Sequence, residues 1–211
     1  MTGNVDIGTE IGRGWELFKA NMGLLILVSL LTAIIGVCTC GILAGPMMAG
    51  EFLIIQRLLK KDPVVPVVGD VFKGFSYFLN TFLCVLAFWI ISGICYIIPV
   101  VNVVAGMVLG AILAVSVMFV AFGKLSFTDA LKKVFQEIGT GPFWMFLLTL
   151  IVANLIGGVG ILLCGVGALF TVPLSVCIGV CAYHAAFEGT ETAAPEPSPI
   201  EPPPPPSEPA P

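Results

Sequence analysis

Charge is the scarcest property of this chain. Of its 211 residues only 10% are Asp, Glu, Lys or Arg, while 58% are apolar. A water-soluble domain is nearer a quarter charged. So few charges cannot coat a surface that meets water on every side, and lipid must cover part of it. The nine basic residues are dispersed, which excludes the clustered basic face that nucleic-acid binding needs. The length suits one domain.

Histidine is nearly absent: His184 is the only one. No Ser–His–acid set can converge around it. H-E-x-x-H, G-x-G-x-x-G and the P-loop are all missing. The glycine-rich stretch GGVGILLCGVG (Gly157–Gly167) falls at a turn between apolar runs, not between a strand and a helix. C-T-C (Cys38–Cys40) has no second pair and no nearby histidine, so it is no metal motif. The expectation is a non-enzyme without catalytic residues, cofactor or metal. A cleavable signal peptide is not apparent either. The first apolar run begins at Leu24, after a mixed-charge segment holding Asp6, Glu10, Arg13, Glu16 and Lys19, whereas a signal peptide starts basic. The first hydrophobic helix is therefore expected to be retained.

What the chain does have is long apolar runs. Stretches approaching ~20 apolar residues are candidates to cross a bilayer. Six are expected, in three pairs: Met22–Val37 with Gly41–Leu59, Tyr77–Ile97 with Val100–Phe122, and Phe143–Leu163 with Val166–Phe187. The fold class expected is all-α, a six-helix transmembrane domain over residues 1–187. The basic residues Arg13, Lys19, Arg57, Lys60, Lys61, Lys73, Lys124, Lys132 and Lys133 fall before the first span, between the second and third, and between the fourth and fifth. The turns inside the pairs carry no Lys, Arg, Asp or Glu. Six crossings put all nine on one face, and retained Lys and Arg mark the cytoplasm. The expected location is the plasma (inner) membrane, multi-pass, with both termini cytoplasmic.

An amphipathic segment precedes each pair. Ile7, Ile11, Trp15 and Phe18 alternate with Glu10, Arg13 and Lys19; Phe127, Leu131, Val134, Phe135 and Ile138 alternate with Asp129, Lys132, Lys133 and Glu137. Val71, Phe72 and Phe75 form a shorter version, with Asp70 as its N-cap. Such helices lie in the interface, charges toward water. Ser126 and Thr128 are helix-start signals. Small residues recur four apart in the even spans: Gly41, Gly45 and Ala49; Gly106, Gly110 and Ala114; Thr171, Ser175 and Gly179. Close packing is the expectation, with these helices at the bundle centre. A groove lined by the glycines is the alternative.

Glu51 stands out. It lies nine residues before Lys60, about 13 Å along a helix at 1.5 Å per residue. A charge at that depth costs several kcal/mol. Protonation, a water-filled cavity, or a donor such as Arg57, Gln56, Asn154 or His184 would relieve it. Glu51, Asn154 and His184 form the candidate intramembrane polar site, to be weighed against satisfied interior hydrogen bonds. Ser29, Ser92 and Ser116 are expected to bond their own backbone. Cys38, Cys40 and Cys164 fall in turns expected to face outward, where an oxidising compartment would permit a bridge from Cys164 to Cys38 or Cys40. Small buried apolar cysteines are the other reading.

From Glu188 the composition changes. EGTETAAPEPSPIEPPPPPSEPAP (188–211) holds ten prolines and five glutamates, and these glutamates account for the formal charge of −4. A segment of this kind cannot bury apolar area and is expected to be a disordered cytoplasmic tail, either an inert spacer or a docking strip for a proline-reading partner.

WELFKAN (Trp15–Asn21), Pro46, FKGF (Phe72–Phe75) and VPLSVCIGVCAYHAAF (Val172–Phe187) give residues ~8–187 an arrangement that resembles a loose group of uncharacterised prokaryotic six-helix integral membrane proteins. These are akin to the membrane domain fused to some glycerophosphodiester phosphodiesterases. The resemblance implies a fold and carries no activity and no site residues. The functional expectation is a non-enzymatic scaffold or accessory subunit binding a membrane partner or lipid. The alternative is a small transporter or channel with Glu51 lining its route.

Overall fold

The computed structural model describes residues 6–95, 99–162 and 167–188. The secondary structure is helical throughout, with no strand among the described residues. The elements are α1 (Ile7–Ala20), α2 (Met22–Cys38), α3 (Ala44–Leu59), a 3-10 segment (Val68–Tyr77), α4 (Phe78–Cys95), α5 (Pro99–Gly123), α6 (Phe127–Glu137), α7 (Gly141–Leu162), α8 (Ala168–Tyr183) and a closing π turn (His184–Glu188). Each expected apolar run appears as a helix. Among the described residues, three helical stretches are long and apolar enough to cross a bilayer: Val68–Ile94, Gly106–Gly123 and Ala168–Glu188. The bent pair α1 and α2 makes a fourth.

Local chemistry sets the boundaries. Asp6 caps α1 by accepting from the Thr9 N–H, and Ser126 caps α6 by accepting from the Asp129 N–H at 3.3 Å, as its sequence signal predicts. Lys61 and Lys124 adopt left-handed φ of 50° and 51° just past α3 and α5, a conformation that stops a helix. Between α2 and α3, Cys40 and Gly41 turn the chain with φ of 50° and 82°. The Trp89 ring lies so close to Gly41 that a Cβ there would sit 2.2 Å from it.

α1 meets α2 at 96°. Its buried face differs from the expected one. Glu10, Gly14 and Phe18 are buried, while Trp15 is exposed. Gly14 explains the rotation: a Cβ there would lie 2.9 Å from the Ile178 backbone, so α8 packs onto this stripe. Of the expected apolar residues, Phe18 joins this buried stripe, Ile7 and Ile11 are half-buried, and Trp15 looks outward. α6 divides in the same way, with Ala130 and Val134 buried and Phe135 exposed. Lys133 holds its Nζ 4.7 Å from the Phe119 ring centroid of α5.

The segment before the second pair departs from expectation. It is not a separate interfacial helix but a 3-10 stretch continuous with α4 and packed along α3. A Cβ on Gly50 would lie 1.7 Å from the Val71 carbonyl oxygen, and one on Gly74 would lie 2.0 Å from that of Pro46. Two glycines thus let two backbones touch, the close approach that small residues permit in lipid. Asp70 is not its N-cap. Val67 holds that position, and the Asp70 carboxylate reaches back to accept the Val67 N–H at 3.1 Å.

α3, α5 and α8 supply much of the fully buried core, with Phe143, Phe146, Leu147 and Leu150 of α7 beside them. The α7–α8 contact is tight because Gly157 and Gly160 face Ser175 and Thr171. The stripe on α5 behaves differently. Gly106 and Gly110 have no heavy atom near a built Cβ, so they do not bring a neighbour closer. Residues 189–211, including the expected proline-rich tail, lie outside the described residues.

Candidate functional site

Glu51 sits on α3, one residue past the Gly50 contact, and is 4% exposed. Its partner is Ser29 of α2, whose Oγ donates to Glu51 Oε1. None of the four expected donors fills that role. Arg57 donates instead to Asp62 at 3.0 Å and Asp70 at 2.9 Å. The Gln56 amide reaches Glu188 at 3.4 Å. Asn154 donates Nδ2–H to the Leu150 carbonyl at 3.0 Å, and His184 Nδ1 pairs with Glu188 at 2.7 Å. Ser29 was expected to bond its own backbone, as Ser116 does to the Ile112 carbonyl. One signal points to Ser29: it lies as deep before the α2–α3 turn as Glu51 lies after it.

A small, partly open cleft lies beside Glu51. α3 contributes Met48, Glu51 and Phe52; α5 contributes Gly110, Ala114 and Met118; α7 contributes Leu150, Ala153 and Asn154; α8 contributes Ser175, Val176 and Gly179. The structure therefore brings two of the three candidate residues, Glu51 and Asn154, to one cavity. The small residues of α5 serve as its wall. Asn154 is exposed, halfway along α7, so it stands where the cleft opens. Its carbonyl oxygen and Glu51 Oε2 accept no hydrogen bond from a described residue. Ser175 donates its proton to the Val172 carbonyl at 2.7 Å.

His184 is placed elsewhere. It is buried and packs against Phe122 and Tyr183. Its Glu188 partner also pairs with Lys60 at 2.9 Å. This cluster ties the end of α8 to the end of α3. Sequence reasoning missed it because Glu188 reads as the first residue of the tail. It also missed Glu10, which is buried with Oε1 on Arg13 at 3.1 Å and Oε2 without a partner. Burial holds the Glu10 carboxyl above its ordinary range, and the Arg13 charge opposes that shift.

Cys38 and Cys40 are exposed free thiols; Cys164, their expected partner, lies outside the described residues. Cys84, Cys177 and Cys181 are buried. Among the described residues no three His, Cys, Asp or Glu side chains group as metal ligands. Taken with the apolar helices, the fold has the features of a membrane protein. Comparison with known protein families, with curated proteins and with solved structures finds no match.

Proposed function

We propose that the chain is a six-span protein of the plasma (inner) membrane, with both termini cytoplasmic, acting as a non-enzymatic scaffold or accessory subunit. It binds a membrane partner or lipid at the cleft between α3, α5, α7 and α8. The single-sided distribution of basic residues supports the six crossings. The likeness to uncharacterised six-helix membrane proteins belongs to the same reading, as does a proline-reading cytoplasmic partner for residues 188–211.

Asn154 carries the binding proposal. An amide exposed to hydrocarbon is costly unless it finds a partner, and interhelical or ligand hydrogen bonds are how membrane proteins satisfy such groups. The occupant of the cleft would do so here. The test is native mass spectrometry of protein extracted in mild detergent. A stoichiometric lipid or protein should accompany the wild type and be lost from Asn154→Leu. Wild-type protein that carries nothing would end this reading.

A transporter is the second reading, favoured by Glu51 lining the same cleft. Proteoliposomes should then show a flux that disappears in Glu51→Gln, although Gln keeps an oxygen for Ser29.

A further inference from the structure

We propose that this cleft binds a lipid-soluble organic amine in its ammonium form, with Glu51 as counter-ion and Asn154 as second acceptor. The inference rests on the cleft being a binding site and adds the class of ligand.

The polar atoms around the cleft have given up most of their protons. Ser29 donates to Glu51 Oε1, Ser175 to the Val172 carbonyl, and Asn154 one N–H to the Leu150 carbonyl. What remains, beside one Asn154 N–H, is acceptor-rich: Glu51 Oε2, the Asn154 carbonyl oxygen and the lone pairs of Ser175. Such a set selects a donor. No Lys, Arg or His lines the cavity, and the nearby Arg57 is committed to Asp62 and Asp70. An anion would meet the Glu51 carboxylate with nothing to offset it. An ammonium ion would form a net-neutral pair, the state in which a buried charge is tolerated in lipid.

The walls describe the rest of the ligand. Met48, Phe52, Met118, Leu150 and Val176 offer an apolar body its match. An aromatic face and polarizable sulfurs are good neighbours for a cation. Ser29 is a positioning residue: it occupies one carboxylate oxygen and leaves the other for the ligand. A quaternary ammonium has no N–H to give, whereas even a tertiary ammonium keeps one for the Glu51 carboxylate, so amines that carry a proton are preferred. The ammonium can belong to a free amine or to the ethanolamine headgroup of a phospholipid.

The test uses full-length protein in phosphatidylcholine nanodiscs. Dicyclohexylcarbodiimide is added, and the adduct on Glu51 is followed by peptide mass spectrometry. N,N-Dimethyloctylamine should slow labelling several-fold, while octyltrimethylammonium and 1-octanol should slow it far less. Equilibrium dialysis should show wild-type discs taking up more dimethyloctylamine than empty discs, and Glu51→Gln discs no more than empty ones. Size-exclusion profiles of Glu51→Gln check that it folds, and a monodisperse peak at the wild-type volume is expected. Protection without added amine, in discs that contain phosphatidylethanolamine, would assign the ammonium to the lipid headgroup and support the same chemistry. If 1-octanol protects as well as the amine, the ammonium assignment is overturned while the cleft stands as a binding site. If dialysis shows no uptake above empty discs, the ammonium assignment is overturned whatever the carbodiimide does. The co-purification of wild type and Asn154→Leu then judges the broader reading separately.

Discussion

Single side chains decide whether the interior tolerates its polar groups. Ser29→Ala removes the donor to Glu51 and leaves a buried oxygen unsatisfied, which costs about 1–3 kcal/mol. Glu51→Gln keeps an acceptor for Ser29 and should cost less; unfolding titrations in mild detergent compare the two. The Gly50–Val71 contact is stricter. A Cβ 1.7 Å from a carbonyl oxygen forces two backbones apart, so Gly50→Ala should lose about 3 kcal/mol, the upper end of ordinary overpacking. Gly106→Ala, with open space at its Cβ, should be tolerated. Glu10 carries a pH signature. Its folded carboxyl titrates above its ordinary range because of burial. Its contribution to stability is therefore fully present below the unfolded value of about 4.3 and is lost as pH rises through the raised folded value. Melting temperatures of wild type and Glu10→Gln should diverge with rising pH, in favour of Gln. Glu51 was legible in the sequence because a lone acid in an apolar run is rare. Ser29 and Glu10 were not, since each depends on which neighbour a helix face meets.

Between residues and molecule, the helices show a common device. α1 and α6 each divide their apolar residues between the protein and the outside, Phe18 against Trp15 and Val134 against Phe135, so periodicity alone does not fix the docking side. Helix existence was readable because runs of twenty apolar residues leave few alternatives. The 3-10 segment was not, because its form depends on Gly74 meeting the α3 backbone at Pro46, a tertiary contact between residues far apart in sequence. At the C-terminal end of α3, Arg57 holds Asp62 and Asp70, tying the linker to the helix. The Arg57 hydrogen bond keeps the Asp62 carboxyl below its ordinary range. Stability from this link is present above the unfolded value of about 3.9 and lost as pH falls through the depressed one. Arg57→Ala should flatten the acid side of the stability–pH curve, as read by thermal unfolding of detergent-solubilised protein.

For the molecule as a whole, layout is the claim most open to direct test. Cys38 and Cys40 are exposed free thiols in the α2–α3 turn. An impermeant maleimide should label them in intact cells, while an epitope after Pro211 should stay protected until the membrane is opened. Shielded turn thiols would refute the six-span layout. The charge asymmetry is what the six-span expectation rests on; the cleft was not legible, since the same small residues that read as packing stripes leave space open along α5. The seat of α1 on α8, at Gly14 against Ile178, has a consequence for biogenesis. Chains emerge from the ribosome N-terminus first, so α1 is made well before its berth on α8. Until then Glu10 has no cover, and a nascent chain cut short before α8 would display an undocked leading helix for quality-control proteases to find.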